Sequence, residues 1–368
     1  MEWRTEVLVI GGGPAGLAAA IAARKKGFEV AVVDGAKPPI DKACGEGLMP
    51  HTIAALRELG IEILSRDGRT FRGLRFLDGG TEVEASFPGT TGIGVRRTVL
   101  HRRMVERAEE CGVALHWNMP VSGLMPDGAI VGGKAMSARW IIGADGIHSR
   151  VRRWSGLEAG LRQKARFACR RHYRVSAWTD CVEIYWGEKA QAYATPLGPE
   201  ETCVVLVSSE PRVRFEEALR EFPRLAARLA DAELRGTERG GFTATGTLSR
   251  VYWGNIALTG DASGSVDAIT GEGLCLSFRQ AIALAEALEA GKLEKYQSAH
   301  GQLATRPHFM SRLLLLLGRN VTLRQRTLKV LTRDPGLFAR LLAVHGEKTS
   351  SLDLTSTSLR FGYQFLAI

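Results

Sequence analysis

The chain has 368 residues, 45% hydrophobic and 24% charged; this length suggests about two domains, and this balance excludes a disordered, collagen-like or coiled-coil chain. Lys plus Arg outnumber Asp plus Glu by 49 to 39, a formal charge of +10, which points to a polyanionic partner: nucleic acid, anionic lipid or a phosphate-bearing cofactor. Six scattered cysteines without CxxC spacing are expected to be free thiols in a reducing compartment.

The run Glu6 to Ile10 is continuously apolar and β-branched, as a strand buried on both faces must be. Gly11-Gly12-Gly13-Pro14-Ala15-Gly16 follows and opens an alanine-rich helix to about Lys26; a second strand, Glu29 to Val33, ends on Asp34. The apolar stretch from Val7 to Ala23 is not a signal peptide, because Glu2 and Glu6 replace the basic flank and the glycines interrupt it. With 42 glycines in the chain, a GxGxxG alone is weak. Here a strand precedes it, a helix follows it, and an acid stands 23 residues beyond Gly11, the context of a dinucleotide fold. Gly11 permits the tight turn, Gly13 lets backbone approach a pyrophosphate and Gly16 lets helix and strand pack. The helix start at Pro14 and Ala15 offers N–H groups to the phosphates, and Asp34 accepts from a ribose hydroxyl. This fingerprint leaves NAD and FAD open.

Further along, Arg97 to Met104 reads as a helix start, Arg139 to Gly143 as a strand running into Asp145-Gly146, and Asn255 to Leu258 as a strand stopping at Gly260-Asp261. Thr270-Gly271-Glu272-Gly273-Leu274 then leads into a helix to about Leu288. With these motifs in order, residues 1–300 resemble the FAD-dependent oxidoreductases of the para-hydroxybenzoate hydroxylase type, and within them the geranylgeranyl reductase-like branch. The resemblance implies an α/β fold: a Rossmann-like FAD-binding domain with a parallel sheet and helices, an inserted mainly β substrate domain, and a helical C-terminal segment. It places FAD binding at 1–70, 96–160 and 250–300, the substrate domain at 71–95 and 161–249, and the helical segment at 301–368. It also implies that Asp261 binds the ribityl or pyrophosphate part of FAD, with Gly260 in the same motif, and that Gly271, Gly273 and Leu274 lie beside the flavin. Asp145 and Gly146 match the Asp-Gly motif near the pyrophosphate. Arg97 is the candidate for the phosphates, Val121, ending the next strand, for the adenine, and Lys42, Cys44 and Gly45 for the loop next to the flavin.

The second part of the chain reads as β-rich, with strands at Ala165 to Trp178, Cys181 to Trp186 and Thr202 to Ser208, turn chemistry at Pro196 to Glu200, and a helix from Phe215 to Leu234. A single dinucleotide fingerprint means that NAD(P)H, as reductant, visits transiently. The same cradle serves a monooxygenase, which passes oxygen to a small hydrophobic or aromatic molecule, and a reductase, which delivers hydride to a double bond of a lipophilic one. The Gly260 to Gly264 and Thr270 to Gly273 segments and Cys44-Gly45 favour the reductase branch. Its Tyr-x-Trp-x-Phe-Pro strand is replaced here by Tyr193-Ala194-Thr195-Pro196, which tips the reading toward the monooxygenase. Cys44 and Tyr193 are the candidate catalytic side chains, against the plainer alternatives of a small loop residue and a core aromatic.

The eight histidines show no metal-ligand spacing and no G-x-S-x-G elbow is present, so neither a metal site nor a serine triad is expected. Arg150, Arg152 and Arg153 beside Trp154 mimic a nucleic-acid patch but fall within the Asp-Gly motif, so no nucleic acid is expected. From 305 to 344, eight basic residues accompany one acid, Asp334, among many leucines. A packed helical cap with a solvated basic face accounts for this, and so does peripheral contact with a membrane surface. No apolar run approaches the roughly 18–20 residues of a membrane span, and a cytoplasmic protein is expected.

Overall fold

A computed structural model describes residues 3–159, 162–211, 213–346, 360–362 and 364–365; of the expected helical segment 301–368, residues 347–359, 363 and 366–368 lie outside it. The strand Arg4–Ile10 lies in the middle of a parallel array, between Lys134–Gly143 and Val30–Val33, with Ile256–Leu258 and Ala114–His116 further out on either side. Its alternate residues serve two cores, which is why its sequence is apolar throughout. Val7 and Val9 pack with helices α1 (Pro14–Lys25), α2 (Pro50–Glu58), α3 (Arg97–Glu110) and α4 (Gly273–Glu289). Leu8 and Ile10 pack on the other face with Ala129, Val131 and Met136.

The second sheet is largely antiparallel. Its strand Arg162–Arg174 lies between Glu201–Ser208 and Glu233–Thr247, and the order continues through Ala190–Gly198 and Cys181–Trp186 to the hairpin Gly73–Asp78 and Thr81–Ser86. The chain is thus α/β, with a parallel sheet, a second β-rich layer and a helical C-terminal part. The expected helix from Phe215 to Leu234 is two short ones, Phe215–Leu219 and Pro223–Leu229, and the chain is extended from Glu233. Pro223 explains the break: it cannot donate into a preceding helix but suits the first turn of a new one. The strand expected to reach Trp178 stops at Arg174. Pro196 lies inside a buried strand at a register irregularity, where its missing N–H is tolerated.

One face of this sheet is covered by the two short helices through Tyr185, Ala192, Val204 and Leu206. The other presents Leu74, Val182, Ile184, Trp186, Tyr193, Val205 and Val207 toward helices α5 (Leu293–Arg319), α6 (Val321–Arg333) and α7 (Pro335–Gly346). A small third sheet of Gly47–Leu48, Gly92–Val95 and Gly68–Phe71 carries the chain between the two larger ones. Among the described residues no helix is long and apolar enough to cross a membrane.

Buried Arg324 fastens α6 to the second sheet: its Nε and Nη2 donate to the two carboxylate oxygens of Asp78 at 2.8 and 3.1 Å. Removing one partner from such a pair strands a desolvated charge. Asp78→Ala is therefore expected to cost about 3–5 kcal/mol in denaturant unfolding, and the double variant Asp78→Leu/Arg324→Met to recover most of the loss.

Candidate active site

A single cavity of about 1220 Å³ begins at the glycine-rich turn and ends among the C-terminal helices. Its first part is built mainly from backbone. Gly11 has φ +115°, and a Cβ there would lie 2.4 Å from the carbonyl oxygen of Ala144. A Cβ on Gly16 would lie 1.8 Å from the Gly11 carbonyl, so this glycine packs helix on strand behind the wall. A Cβ on Gly13 would meet nothing within 4 Å; its side-chain position is the cavity itself. Gly13 caps α1 without a side-chain hydrogen bond, so the N–H groups of the first turn are available to an anion.

Asp34 lines this part, its carboxylate fixed by the N–H groups of Gly12 at 2.6 Å and Ala36 at 2.7 Å. Beneath the turn lies His101, fully buried, with Nε2 2.8 Å from the Gly12 carbonyl oxygen. Burial lowers its pKa, which favours the neutral ring donating to that carbonyl. No spacing rule picks out this histidine; only the folded chain brings it under the loop.

Pro14, Ala15, Lys42, Cys44, Gly45, Arg97, Val121, Asp145, Gly146, Asp261, Gly271, Gly273 and Leu274 all reach the same cavity. Val121 opens the strand Val121–Met125 rather than ending one, because the expected strand stops at His116 and Trp117 to Pro120 form the connection. Gly260 does not reach the wall: at φ +60°, a Cβ would lie 2.5 Å from that of Ala15, so its role is packing of the turn against α1. The carboxylate of Asp145 is engaged by the Ser149 hydroxyl and by the N–H groups of Arg150 and Val151, which it caps. That leaves the backbone at Gly146, with φ +81°, to face a ligand. Arg152 is buried and donates to the carbonyls of Ala262 and Ile147, so it ties two cavity loops together and is no part of a surface patch. Lys42 and Asp261 meet at 3.2 Å across the cavity.

Arg97 opens α3 with its guanidinium on the wall, and its buried Nε has no hydrogen-bond partner among the described residues. Its own N–H donates to Glu46 Oε1 at 2.9 Å. Glu46 is buried at φ +57°, and the same oxygen accepts from Arg170 at 3.0 Å while Oε2 lies 2.6 Å from His172 Nε2. Cys203 completes a His/Glu/Cys group there, although the Arg170 guanidinium already holds a cation's place. A second such group, His51, Glu272 and Cys275, stands at the start of α4, where the positive helix end disfavours a metal ion. Neither group is visible as a linear motif.

Beyond the cradle the wall becomes apolar, with Leu74, Phe76, Ile184, Trp186 and Val207 from the second sheet and Leu314, Leu328 and Phe338 from the C-terminal helices. Tyr193 stands on this wall. Burial pushes its ionisation far up, and its hydroxyl is without a hydrogen-bond partner among the described residues. The starts of α1 and α4, the unpartnered Arg97 Nε and the open side of Gly13 together fit a long, phosphate-bearing dinucleotide with its ring system near α4.

This arrangement defines a dinucleotide-binding flavoprotein. The chain belongs to the FAD binding domain family, whose model matches residues 4–295, and it is an FAD-dependent oxidoreductase. It is 31% identical to a menaquinone reductase of Mycolicibacterium smegmatis, across 81% of this chain and 80% of that one. It is 30% identical to digeranylgeranylglycerophospholipid reductase 1 of Methanothermobacter thermautotrophicus, across 74% of each. Its fold matches that of a geranylgeranyl bacteriochlorophyll reductase-like protein from Thermoplasma acidophilum with a TM-score of 0.74 at 20% identity, over 97% of this chain and 96% of that one.

Two expectations follow. Gly13→Ala is expected to leave thermal stability unchanged yet weaken FAD binding at least about tenfold, whereas Gly16→Ala destabilises the fold; flavin fluorescence titration beside a melting curve separates the two. At the start of α4, His51 Nε2 lies 2.8 Å from Glu272 Oε1. Burial lowers the pKa of His51, but hydrogen bonds to Cys275 and Glu272 outweigh this and raise it from 6.5 to about 10. The stabilisation is thus fully present below pH 6.5 and lost as pH rises toward 10. Denaturation midpoints measured across that window are expected to fall in the wild type and to stay flatter in His51→Gln.

Proposed function

We propose that this flavoprotein reduces a carbon–carbon double bond in the isoprenoid chain of a lipophilic substrate. The observation that carries this reading is the extension of the cofactor cradle into a long apolar channel between the second sheet and the C-terminal helices. A small aromatic substrate needs only the neighbourhood of the ring, whereas a prenyl chain uses the channel's length. The reductase names of the curated relatives support the same class.

FAD, when bound and reduced, supplies the hydride; NAD(P)H is proposed as its transient reductant. The chain's own work is to hold the alkene still, keep the channel dry and deliver a proton to the second carbon. Cys44 is proposed as the proton donor, since it lies on the cavity wall. Tyr193 keeps its proton under all working conditions because burial disfavours the phenolate, and its partnerless hydroxyl is proposed to orient the polar head or the alkene. The Lys42–Asp261 contact joins the loop of Cys44 to the turn after Ile256–Leu258, which keeps the thiol in register with the cradle.

The replacement of the branch's aromatic strand by Tyr193-Ala194-Thr195-Pro196 favours a second reading, a monooxygenase. Anaerobic mixing separates the two. Under the proposal, chemically reduced holoprotein is reoxidised by a polyprenyl lipid without oxygen and yields a product heavier by a hydrogen pair. Cys44→Ala lowers that rate about 10²-fold with an unaltered flavin spectrum. Reoxidation that requires air and gives an oxygenated product establishes the monooxygenase instead.

A further inference from the structure

Helix α5 carries Phe309, Leu313 and Leu316 at the spacing that aligns them on one stripe. Such a stripe is ordinarily buried. Here Phe309 is 64% exposed, Leu313 38% and Leu316 51%, and Val321, just past the α5–α6 corner, is 43% exposed. Arg312 and Arg319 flank the stripe and Arg326 follows on α6, all exposed, and none of the three pairs with a carboxylate among the described residues. No Asp or Glu occurs between Glu294 and Asp334. The corner is an apolar ridge set between guanidinium groups.

Phe309 and Leu313 are also cavity-lining residues. The same side chains therefore form the outer ridge and the end of the channel, so the channel reaches the surface through an apolar rim. In water, exposed apolar area costs roughly 25 cal/mol per Å²; against lipid it costs nothing. An acidic protein would complement the arginines, but it supplies no apolar chain to the opening behind them.

We propose that the α5–α6 corner docks on an anionic lipid surface, the ridge entering the acyl boundary and the arginines meeting headgroup phosphates. A lipid substrate then passes from the bilayer into the channel without crossing water; this last step rests on the reductase reading of the cavity, while the docking itself does not.

The test uses the full-length, FAD-loaded protein and two kinds of vesicle, phosphatidylcholine alone and phosphatidylcholine mixed with phosphatidylglycerol. Co-sedimentation is expected with the mixed vesicles and to be much weaker with the neutral ones. At about fivefold per basic residue at an anionic surface, Arg312→Gln/Arg319→Gln is expected to bind about thirtyfold more weakly. Leu316→Ser/Val321→Ser, at positions outside the cavity lining, is expected to lose binding as well. Unchanged flavin absorbance and melting temperature verify that both variants fold. Absence of binding to either vesicle, binding that ignores phosphatidylglycerol, or binding that both variants leave intact overturns the proposal. Because sedimentation is read without turnover, failure here is distinct from failure to reduce a double bond.

Discussion

A buried carboxylate has to be paired, and how Glu46 is paired fixes how the two halves of this protein meet. Its two oxygens take the first N–H of α3, the Arg170 guanidinium and the His172 ring. The first belongs to the cofactor cradle and the other two to the long strand Arg162–Arg174 of the second sheet. Desolvating these charges is expensive, and no rearrangement that separates them recovers the cost. The loop from Asp41 to Gly47 is therefore held between the sheets, with Asp41 adding a bidentate contact to Arg170. Cys44 and Gly45 face the cavity because their neighbours on either side are tied down.

The same logic accounts for the buried arginines. Arg75, Arg152, Arg166, Arg170 and Arg324 all turn toward the interior and end on carboxylates or carbonyls. They are struts between segments distant in sequence, and they are unavailable to a polyanion. What remains free to act at long range is concentrated in the acid-free stretch of α5 and α6. The paired arginines cancel against their carboxylates, and much of the surplus that first suggested nucleic acid is a local field at one corner of the molecule.

Local rules made the cradle legible in the sequence. A buried strand, a tight turn and a helix start are contiguous, and the glycines have no substitute where a Cβ would meet the Ala144 or Gly11 carbonyl. Legibility ended where partners are far apart. Nothing near Glu46 announces Arg170 or His172, and nothing near Gly12 announces His101. The Phe215 to Leu234 stretch misled because composition suits a helix on both sides of Pro223, while Glu233–Thr247 becomes a strand only by pairing with Arg162–Arg174. Val121 lines the cavity but opens a strand instead of ending one, since a connection without regular structure precedes it.

The far end of the channel is built by Leu313, Leu328, Phe338 and their neighbours, all beyond residue 295, where the family match ends. The matched region supplies the cofactor cradle, and a cradle alone serves oxygen transfer and hydride transfer alike. Channel length and the nature of its opening are set by α5 to α7, which Arg324 holds against the second sheet through Asp78. Selection for a particular substrate can then act on these helices while leaving the glycine-rich turn and the Glu46 network untouched. The cofactor cradle thus lies wholly within the matched region, whereas the apolar channel is walled jointly by the second sheet inside that region and by the helices that follow it.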